Sequence, residues 1–195
     1  MKRILKILLP VLLLTTSSVA EAKLFEVWGS GLAGYGYGQG NSVKDFYHWA
    51  SGGAVGVEVG IKIIFIGAFV DYLHWFGEEP AELFTFNLGG DWGIGLTKSL
   101  DLVIRAAGGY YHGLLPSNAT IEIDGVKITQ VNTRGVGVRG GVGLRYNFAK
   151  VLSVGVTPEF GYHYFFGGAE TPITDQNSSG FDLNILAYFR VGVGF

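Results

Sequence analysis

The stretch Phe181-Asp-Leu-Asn-Ile-Leu-Ala-Tyr-Phe-Arg-Val-Gly-Val-Gly-Phe195 alternates along its whole length. Every odd-numbered residue in it is apolar, whereas the even-numbered residues include Asp182, Asn184 and Arg190. Because successive side chains of a strand point to opposite faces, the pattern predicts a strand with one wholly apolar face and one mixed, partly charged face. An apolar face of this length needs an apolar environment outside the strand, and we expect that environment to be lipid.

Residues 1–22 have the organisation of a secretory signal peptide. Residues 2–6 carry three basic side chains, Ile7–Leu14 is apolar, and Ala20-Glu-Ala22 has the small-x-small form of a cleavage site. The apolar stretch is far shorter than the ~20 residues of a spanning helix, which argues against a transmembrane anchor. We therefore predict Sec-type export, a signal peptide over 1–22 and a single mature domain over 23–195.

The composition points to a membrane protein that crosses with strands. The chain has 48% hydrophobic residues, 32 glycines and no cysteine, so disulfides, thiol catalysis and a lipoprotein anchor are excluded. Its formal net charge of −2 becomes more negative once residues 1–22 are removed, which is not the balance of a nucleic-acid-binding protein. After residue 22 no apolar run is long enough for a spanning helix. Since only helices and closed barrels pair every backbone group within a bilayer, we predict a barrel.

Eight segments alternate with a consistent phase, each long enough to cross a bilayer as a tilted strand of ~9–11 residues. They are Phe25–Gly38, Ala54–Ile63, Ile64–Trp75, Leu83–Leu96, Asp101–Tyr111, Thr133–Phe148, Leu152–Phe165 and Phe181–Phe195. Tight turns near 62–64, 97–100 and 149–151 alternate with longer loops near 39–53, 76–82, 112–132 and 166–180. This layout predicts an all-β, eight-stranded antiparallel transmembrane barrel of a bacterial outer membrane, with four extracellular loops and periplasmic turns.

A soluble β-sandwich or lipocalin-like barrel is the alternative, and it would place the apolar face inside. Two features argue against it. The mixed face holds few long, flexible Lys and Glu residues and many glycines, as a crowded interior would. The apolar face carries aromatic residues near both ends, such as Tyr35 and Tyr37 on the loop side and Tyr146 and Phe148 on the turn side, which is typical of two interfacial girdles.

The chain resembles the small eight-stranded outer-membrane proteins of the OmpA/OmpX type over essentially the whole mature sequence. The resemblance rests on the terminal strand, in which Phe189, Val191, Val193 and Phe195 share the apolar face. It implies that these four residues form the signal read by the outer-membrane assembly machinery. It covers the barrel only, so the periplasmic peptidoglycan-binding domain of OmpA is not implied.

Seven charged residues lie on the mixed face near mid-height of the predicted barrel: Glu58, Asp71, Asp91, Arg105, Arg139, Glu159 and Arg190. Tracing the strands predicts that Asp91 lies beside Arg105, and that Glu159 lies beside both Arg139 and Arg190. Glu58 and Asp71 find basic partners only across the lumen or at Lys62. Because an eight-stranded barrel is just wide enough to be filled by side chains, we interpret these charges as a structural polar core. The alternative is a narrow ion or small-solute pore formed by rearranged pairs.

An enzyme is the third hypothesis, because eight-stranded barrels include lipid A acyltransferases and deacylases. The deacylases use a His-x-Ser pair, and none of His48, His74, His112 and His163 is followed by serine at that spacing. No nucleophile–base pair is visible, and the histidines lack metal-ligand spacing. We therefore expect no enzymatic activity, no cofactor and no metal site.

Two loops carry residues suited to contacts outside the cell. The first exposes Phe46, Tyr47 and Trp49. The third contains alternating segments around Asp124-Gly125, a type I′ turn signal that sets Glu122 opposite Lys127. Aromatic anchoring or strand addition could bind an extracellular partner. The alternative is that these residues are surface residues without a partner, since loop sequences vary freely. The predicted function is thus a structural or surface-interaction barrel, whose other partners are outer-membrane lipid and lipopolysaccharide.

Overall fold

A computed structural model of the chain describes residues 24–40, 50–77, 80–115, 121–123, 126–128, 131–166 and 177–194. Several predicted features lie outside these residues: the signal peptide 1–22, the loop residues Phe46, Tyr47 and Trp49, the Asp124-Gly125 turn, and Phe195. The described residues include no helix that is long and apolar enough to cross a membrane.

Ten strands are present among the described residues. They are β1 (Phe25–Gly40), β2 (Gly52–Ile63), β3 (Ile66–Phe76), β4 (Ala81–Gly95), β5 (Leu100–Leu115), β6 (Ile121–Ile123), β7 (Val126–Ile128), β8 (Val131–Asn147), β9 (Leu152–Phe166) and β10 (Ser178–Gly194).

Eight of these strands close into one antiparallel barrel, in the order β1-β2-β3-β4-β5-β8-β9-β10. The barrel closes between the first and last strands, where Ala33 pairs with Ala187. The short strands β6 and β7 form a separate hairpin within the β5–β8 connection, and Glu122 pairs with Lys127 in its register. The predicted fold class is therefore confirmed.

The connections differ in length at the two ends of the barrel. Residues 64–65, 96–99 and 148–151 make short links at one end, here called the turn end. Both Leu24 and Gly194 lie there, since the Ile64 amide donates to the Leu24 carbonyl at 3.0 Å and Gly194 pairs with Glu26. The opposite end, here called the loop end, carries the connections 41–51, 77–80, 116–130 and 167–177.

Side chains alternate between the outside and the inside with the predicted phase. Along β10, Leu183 and Ile185 are exposed, whereas Asp182 and Asn184 are buried inside the barrel. The same alternation holds on the other barrel strands, so that apolar residues cover the outer wall. The soluble alternative is therefore wrong, because the apolar face lies outside and the mixed face fills the interior.

Most strand ends differ from the predicted ones by one to four residues, and two of these differences are informative. The third strand begins at Ile66 rather than Ile64, because Ile64 adopts a φ of 55° in the turn and leaves the extended conformation. Strand β5 continues to Leu115 and β8 begins at Val131, so the predicted 112–132 loop was too long. The backbone ladder persists there through pairs such as Gly113 with Thr133.

A charge placed on the outer wall tests whether this wall faces lipid. Val142 is exposed on β8 between the two rims, and Val193 is exposed near the turn end. We expect Val142→Arg to lower the free energy of unfolding from a bilayer by about 2–4 kcal/mol, and Val193→Arg by at most about 1 kcal/mol. Equilibrium unfolding in liposomes measures both, and equal small effects would contradict a lipid-facing wall.

Candidate functional site in the barrel interior

The seven predicted interior charges form one chain of contacts across the lumen, in which acidic and basic residues alternate. The order is Asp71, Arg139, Glu159, Arg105, Glu58, Arg190 and Asp91. Strands β2, β3, β4, β5, β8, β9 and β10 contribute one residue each. These contacts link every barrel strand except β1 to another strand across the lumen.

Arg105 occupies the centre of this chain. Its Nη2 donates to Glu58 Oε2, and its Nη1 lies 3.3 Å from Glu159 Oε1. Glu159 also contacts Arg139, with 3.7 Å between Oε2 and Nε, and Arg139 Nη2 donates to Asp71. Buried charges need such paired partners, because an unpaired one costs several kcal/mol.

Glu58 accepts hydrogen bonds from three side chains, and it is almost wholly buried. Besides Arg105, Trp28 Nε1 donates to Oε1 at 2.7 Å and Arg190 Nη2 donates to the same oxygen at 3.2 Å. Arg190 in turn donates through Nε to Ser30 Oγ at 3.2 Å and through Nη1 to Asp91. Strand β1, which carries no charge of the chain, is thus tied to it by Trp28 and Ser30.

A second set of ion pairs extends the chain toward the turn end. Lys62 Nζ lies 2.9 Å from Glu26 Oε2 and 3.7 Å from Asp91 Oδ1. Arg145 lies 3.1 Å from Asp101 and 3.8 Å from Asp91. Glu26, Asp101 and Arg145 were not predicted as members of the network, although all three follow the inward phase of their strands.

The observed pairs differ from those predicted between neighbouring strands. Asp91 and Arg105 do face each other in the β4–β5 register, but the Arg105 guanidinium contacts Glu58 and Glu159 instead. The predicted Glu159–Arg190 pair is wrong, since Arg190 contacts Glu58 and Asp91. In a lumen this narrow, a long arginine side chain reaches carboxylates on distant strands as easily as those next to it.

Aromatic rings lie against the guanidinium groups of three arginines of the network. The Phe69 ring centroid lies 4.7 Å from the Arg105 guanidinium carbon and 5.2 Å from that of Arg139. Arg190 lies 5.1 Å from the Trp28 ring and 5.3 Å from the Tyr188 ring. A cation over an aromatic face is stabilised by the ring quadrupole, more so when both are desolvated.

Toward the loop end the interior holds large apolar side chains beside a few buried polar ones, among them His163, Asp182 and Asn184. The buried residues of this apolar layer are Leu73, Trp75, Leu83, Tyr111 and Phe165, and they belong to one cluster with Leu32, Ala50, Ala54, Ala81, Leu186 and Tyr188. This layer was not predicted from the sequence, because the predicted interior was described by its charged residues alone.

Glycines on the inner wall make room for the large rings. A Cβ at Gly60 would lie 2.3 Å from the Trp28 ring, and one at Gly137 would lie 2.7 Å from the Tyr111 ring. Both distances are far below a van der Waals contact, so these positions accept no side chain without a shift of the ring. Inward glycines next to inward aromatic residues were the sequence signal that could have predicted rings inside the lumen.

The histidines do not converge on one site. His163 is fully buried inside, with Nδ1 3.8 Å from Asp182 Oδ1. His74 and His112 lie on the outer wall, where His74 is 3.5 Å from Glu82 and His112 is 2.7 Å from Asn132 Oδ1. His48 lies outside the described residues, and within them no three His, Cys, Asp or Glu side chains are grouped to hold a metal ion.

Comparison with known proteins identifies the fold. No family model matches the chain, and no curated protein sequence matches it. Neisserial surface protein A, NspA, superposes with a TM-score of 0.53 at 13% identity, over 86% of this chain and 96% of NspA. The fold is that of the eight-stranded outer-membrane β-barrels.

Two other solved structures were matched over the same share of the chain. They are the N-terminal barrel domain of Pseudomonas aeruginosa OprF, with 15% identity, 98% coverage of that domain and a TM-score of 0.45, and the attachment invasion locus protein Ail of Yersinia pestis, with 12% identity, 99% coverage and a TM-score of 0.41. These scores are too low to carry an argument, and none of the three proteins is named as an enzyme.

Removing one interior carboxylate tests the network. Glu58→Gln leaves Arg105 and Arg190 without their shared counter-charge, and we expect it to lower the free energy of unfolding by about 3–5 kcal/mol. The matched control is Glu82→Gln on the outer wall, whose pair with His74 is partly exposed and should contribute at most about 1 kcal/mol. Urea unfolding in detergent micelles compares the two variants. A loss of stability in Glu58→Gln as small as that in Glu82→Gln would refute a role of the network in stability.

Proposed function

We propose that this protein is a closed outer-membrane barrel whose role is to hold its four loops at the cell surface, rather than to conduct solutes or catalyse a reaction. The observation that supports this most strongly is the pair of layers in the lumen. The alternating charge chain crosses the middle of the barrel, and the apolar layer of Leu73, Trp75, Leu83, Tyr111 and Phe165 lies between it and the loop end.

The two layers oppose conduction for different physical reasons. An ion that entered the charge layer would have to break contacts such as Arg105–Glu58, in which both partners are buried. An ion that passed it would then meet the large rings of Trp75 and Phe165, which leave little room for a hydration shell beside the buried Asp182–Asn184 pair. A narrow pore therefore requires rearrangements in both layers, and it stands as the second candidate because the charge layer contains partners that could exchange.

We also propose that the protein catalyses no reaction on lipid. His74–Glu82 and His112–Asn132 are polar pairs on the outer wall, where a lipid substrate would bind. Neither pair is joined by a serine, threonine or cysteine nucleophile in the contacts described, so a lipid A-modifying reaction remains the third candidate. A mass change in lipid A on expression would reverse this order.

Export and assembly form part of the same proposal. The signal peptide 1–22 would direct Sec-type export, and the terminal strand would be read by the assembly machinery. Phe189, Val191 and Val193 are exposed on the outer wall, where such machinery could contact them before the barrel closes. If Phe195 completes this signal, its deletion should reduce outer-membrane yield far more than it reduces stability in detergent.

The surface role concerns the loop end. Exposed aromatic residues such as Tyr35, Tyr37 and Phe181 ring the outer wall there, at a height suited to lipopolysaccharide headgroups. Beyond them the β6–β7 hairpin presents a two-stranded edge. We propose that an extracellular partner binds through the loops, by strand addition at this hairpin or through Phe46, Tyr47 and Trp49.

Conductance in planar bilayers tests the closed lumen. We expect small or intermittent currents from the wild type, because the two layers block the lumen in series. Arg139→Ala should lower stability by about 3–5 kcal/mol without opening the barrel, since the apolar layer remains. Trp75→Ala should also stay closed, since the charge layer remains.

The double variant Arg139→Ala/Trp75→Ala removes one large side chain from each layer. Only this variant should show frequent openings. A stable, ion-selective conductance in the wild type would instead establish the pore.

An epitope in the β6–β7 turn tests orientation. An insertion at Asp124-Gly125 should be labelled by antibody on intact cells, because the loop end faces outward. The matched control is the same epitope at Lys98, in the β4–β5 turn, which should be labelled only after the cells are permeabilised. The reverse pattern would invert the proposed orientation, and no labelling at either site in permeabilised cells would show that the epitopes are hidden rather than periplasmic.

A further inference from the structure

The β2–β3 turn differs from the other two turns in being wholly apolar. Ile63, Ile64, Phe65 and Ile66 follow one another there, with 59%, 48%, 64% and 71% of their surface exposed. The β4–β5 turn instead contains exposed Thr97 and Lys98 with half-buried Ser99, and the β8–β9 turn contains exposed Lys150. Four consecutive exposed apolar residues would be unfavourable in water.

The β2–β3 turn is also recessed from the end of the barrel. The β3–β4 ladder ends at Gly67 paired with Gly89, and β4 continues past that pair to Gly95 before it turns. Trp92 Nε1 donates to the Phe65 carbonyl oxygen at 3.0 Å, which fixes the turn beside the body of β4. Six residues of β4 at roughly 3.3 Å each and a tilt near 40° rise about 15 Å along the barrel axis, and the tilt itself offsets the next hairpin by about 6 Å in the other direction. The β4–β5 turn therefore lies about 10 Å further out.

Charged groups near the turn point away from it. Glu26 and Lys62 are the nearest ionisable residues on the adjoining strands, and both face the lumen, where they pair at 2.9 Å. The outer side of the turn therefore presents no charge from β1 or β2. It is continuous with the apolar wall through Ile61, which is exposed on the same face of β2.

The backbone conformation of the turn is a second, independent observation. Ile64 has a φ of 55°, within the left-handed region that β-branched residues avoid and that Asn or Gly readily adopts. A turn in water would gain from either residue. Isoleucine is conformationally unfavourable at this position. Its presence is explained if the side chain lies in an apolar phase.

We infer that the β2–β3 turn is embedded in the acyl chains of the periplasmic leaflet, whereas the other two turns reach water. The inference rests on the proposed insertion in the outer membrane. The occupant of this surface is lipid rather than a second copy of the chain or a periplasmic protein, because the turn is recessed behind the β4–β5 turn and extends the lipid-facing wall. The membrane boundary therefore runs obliquely across the turn end.

Spin labels at single cysteines test the inference, and the chain suits them because it has no cysteine of its own. Phe65→Cys and Ile66→Cys place the label in the turn, Leu88→Cys places it on the exposed outer wall, and Lys98→Cys places it in the polar turn. Each variant is refolded into phosphatidylcholine liposomes. Relaxation by oxygen, which enters hydrocarbon, is compared with relaxation by a polar nickel complex added to both sides, which does not.

The oxygen-to-nickel ratio at positions 65 and 66 should resemble that at 88 and exceed that at 98 by roughly tenfold, because the polar complex is excluded from hydrocarbon. Ratios at 65 and 66 that match position 98 would overturn the inference. Protection from both reagents with spin–spin broadening would also overturn it, in favour of self-association. A water-like ratio at 88 would instead refute the proposed membrane insertion itself.

Discussion

An eight-stranded barrel encloses only enough space for the side chains of its own inner face. Every inward residue must therefore find its partner inside the wall, and an inward charge must be neutralised there. In this protein the chain of contacts from Asp71 to Asp91 neutralises the inward charges, with Arg105 at its centre between Glu58 and Glu159. The pairs are buried, so each one stabilises the barrel chiefly by preventing the large cost of an unpaired partner.

The same constraint explains the division of the lumen into two layers. Arginines are long, and their contacts across the lumen leave space beside the wall that rings can fill. Phe69 lies under Arg105 and Arg139, and Trp28 lies beside Arg190 and donates to Glu58. Toward the loop end, large rings such as Trp75 and Phe165 fill much of the section beside the buried Asp182–Asn184 pair, and inward glycines such as Gly137 give the rings the necessary room.

Sequence periodicity was sufficient for the fold but not for the contacts in the lumen. Alternation with a period of two assigns each residue to a face, and it placed Glu58, Asp71 and Arg139 inside. Which carboxylate meets which guanidinium depends on the stagger of strands around the closed barrel and on side-chain length, and neither is encoded in one strand. The apolar layer was not predicted for a related reason: alternation places Trp75 and Phe165 on the inner face, but it does not show that their rings meet in one cluster.

The stagger that decides the interior contacts also shapes the outer boundary. The hairpins of a closed barrel need not all end at the same height, and here β4 runs beyond the end of β3. A hairpin that ends early leaves its turn beside neighbouring strands rather than in the solvent. The residues suited to that position are apolar ones, even at a φ that favours glycine, as Ile64 shows. The turn end is thus apolar where it is recessed and carries lysine where it protrudes, because one register sets both the ion pairs inside and the height of each turn outside.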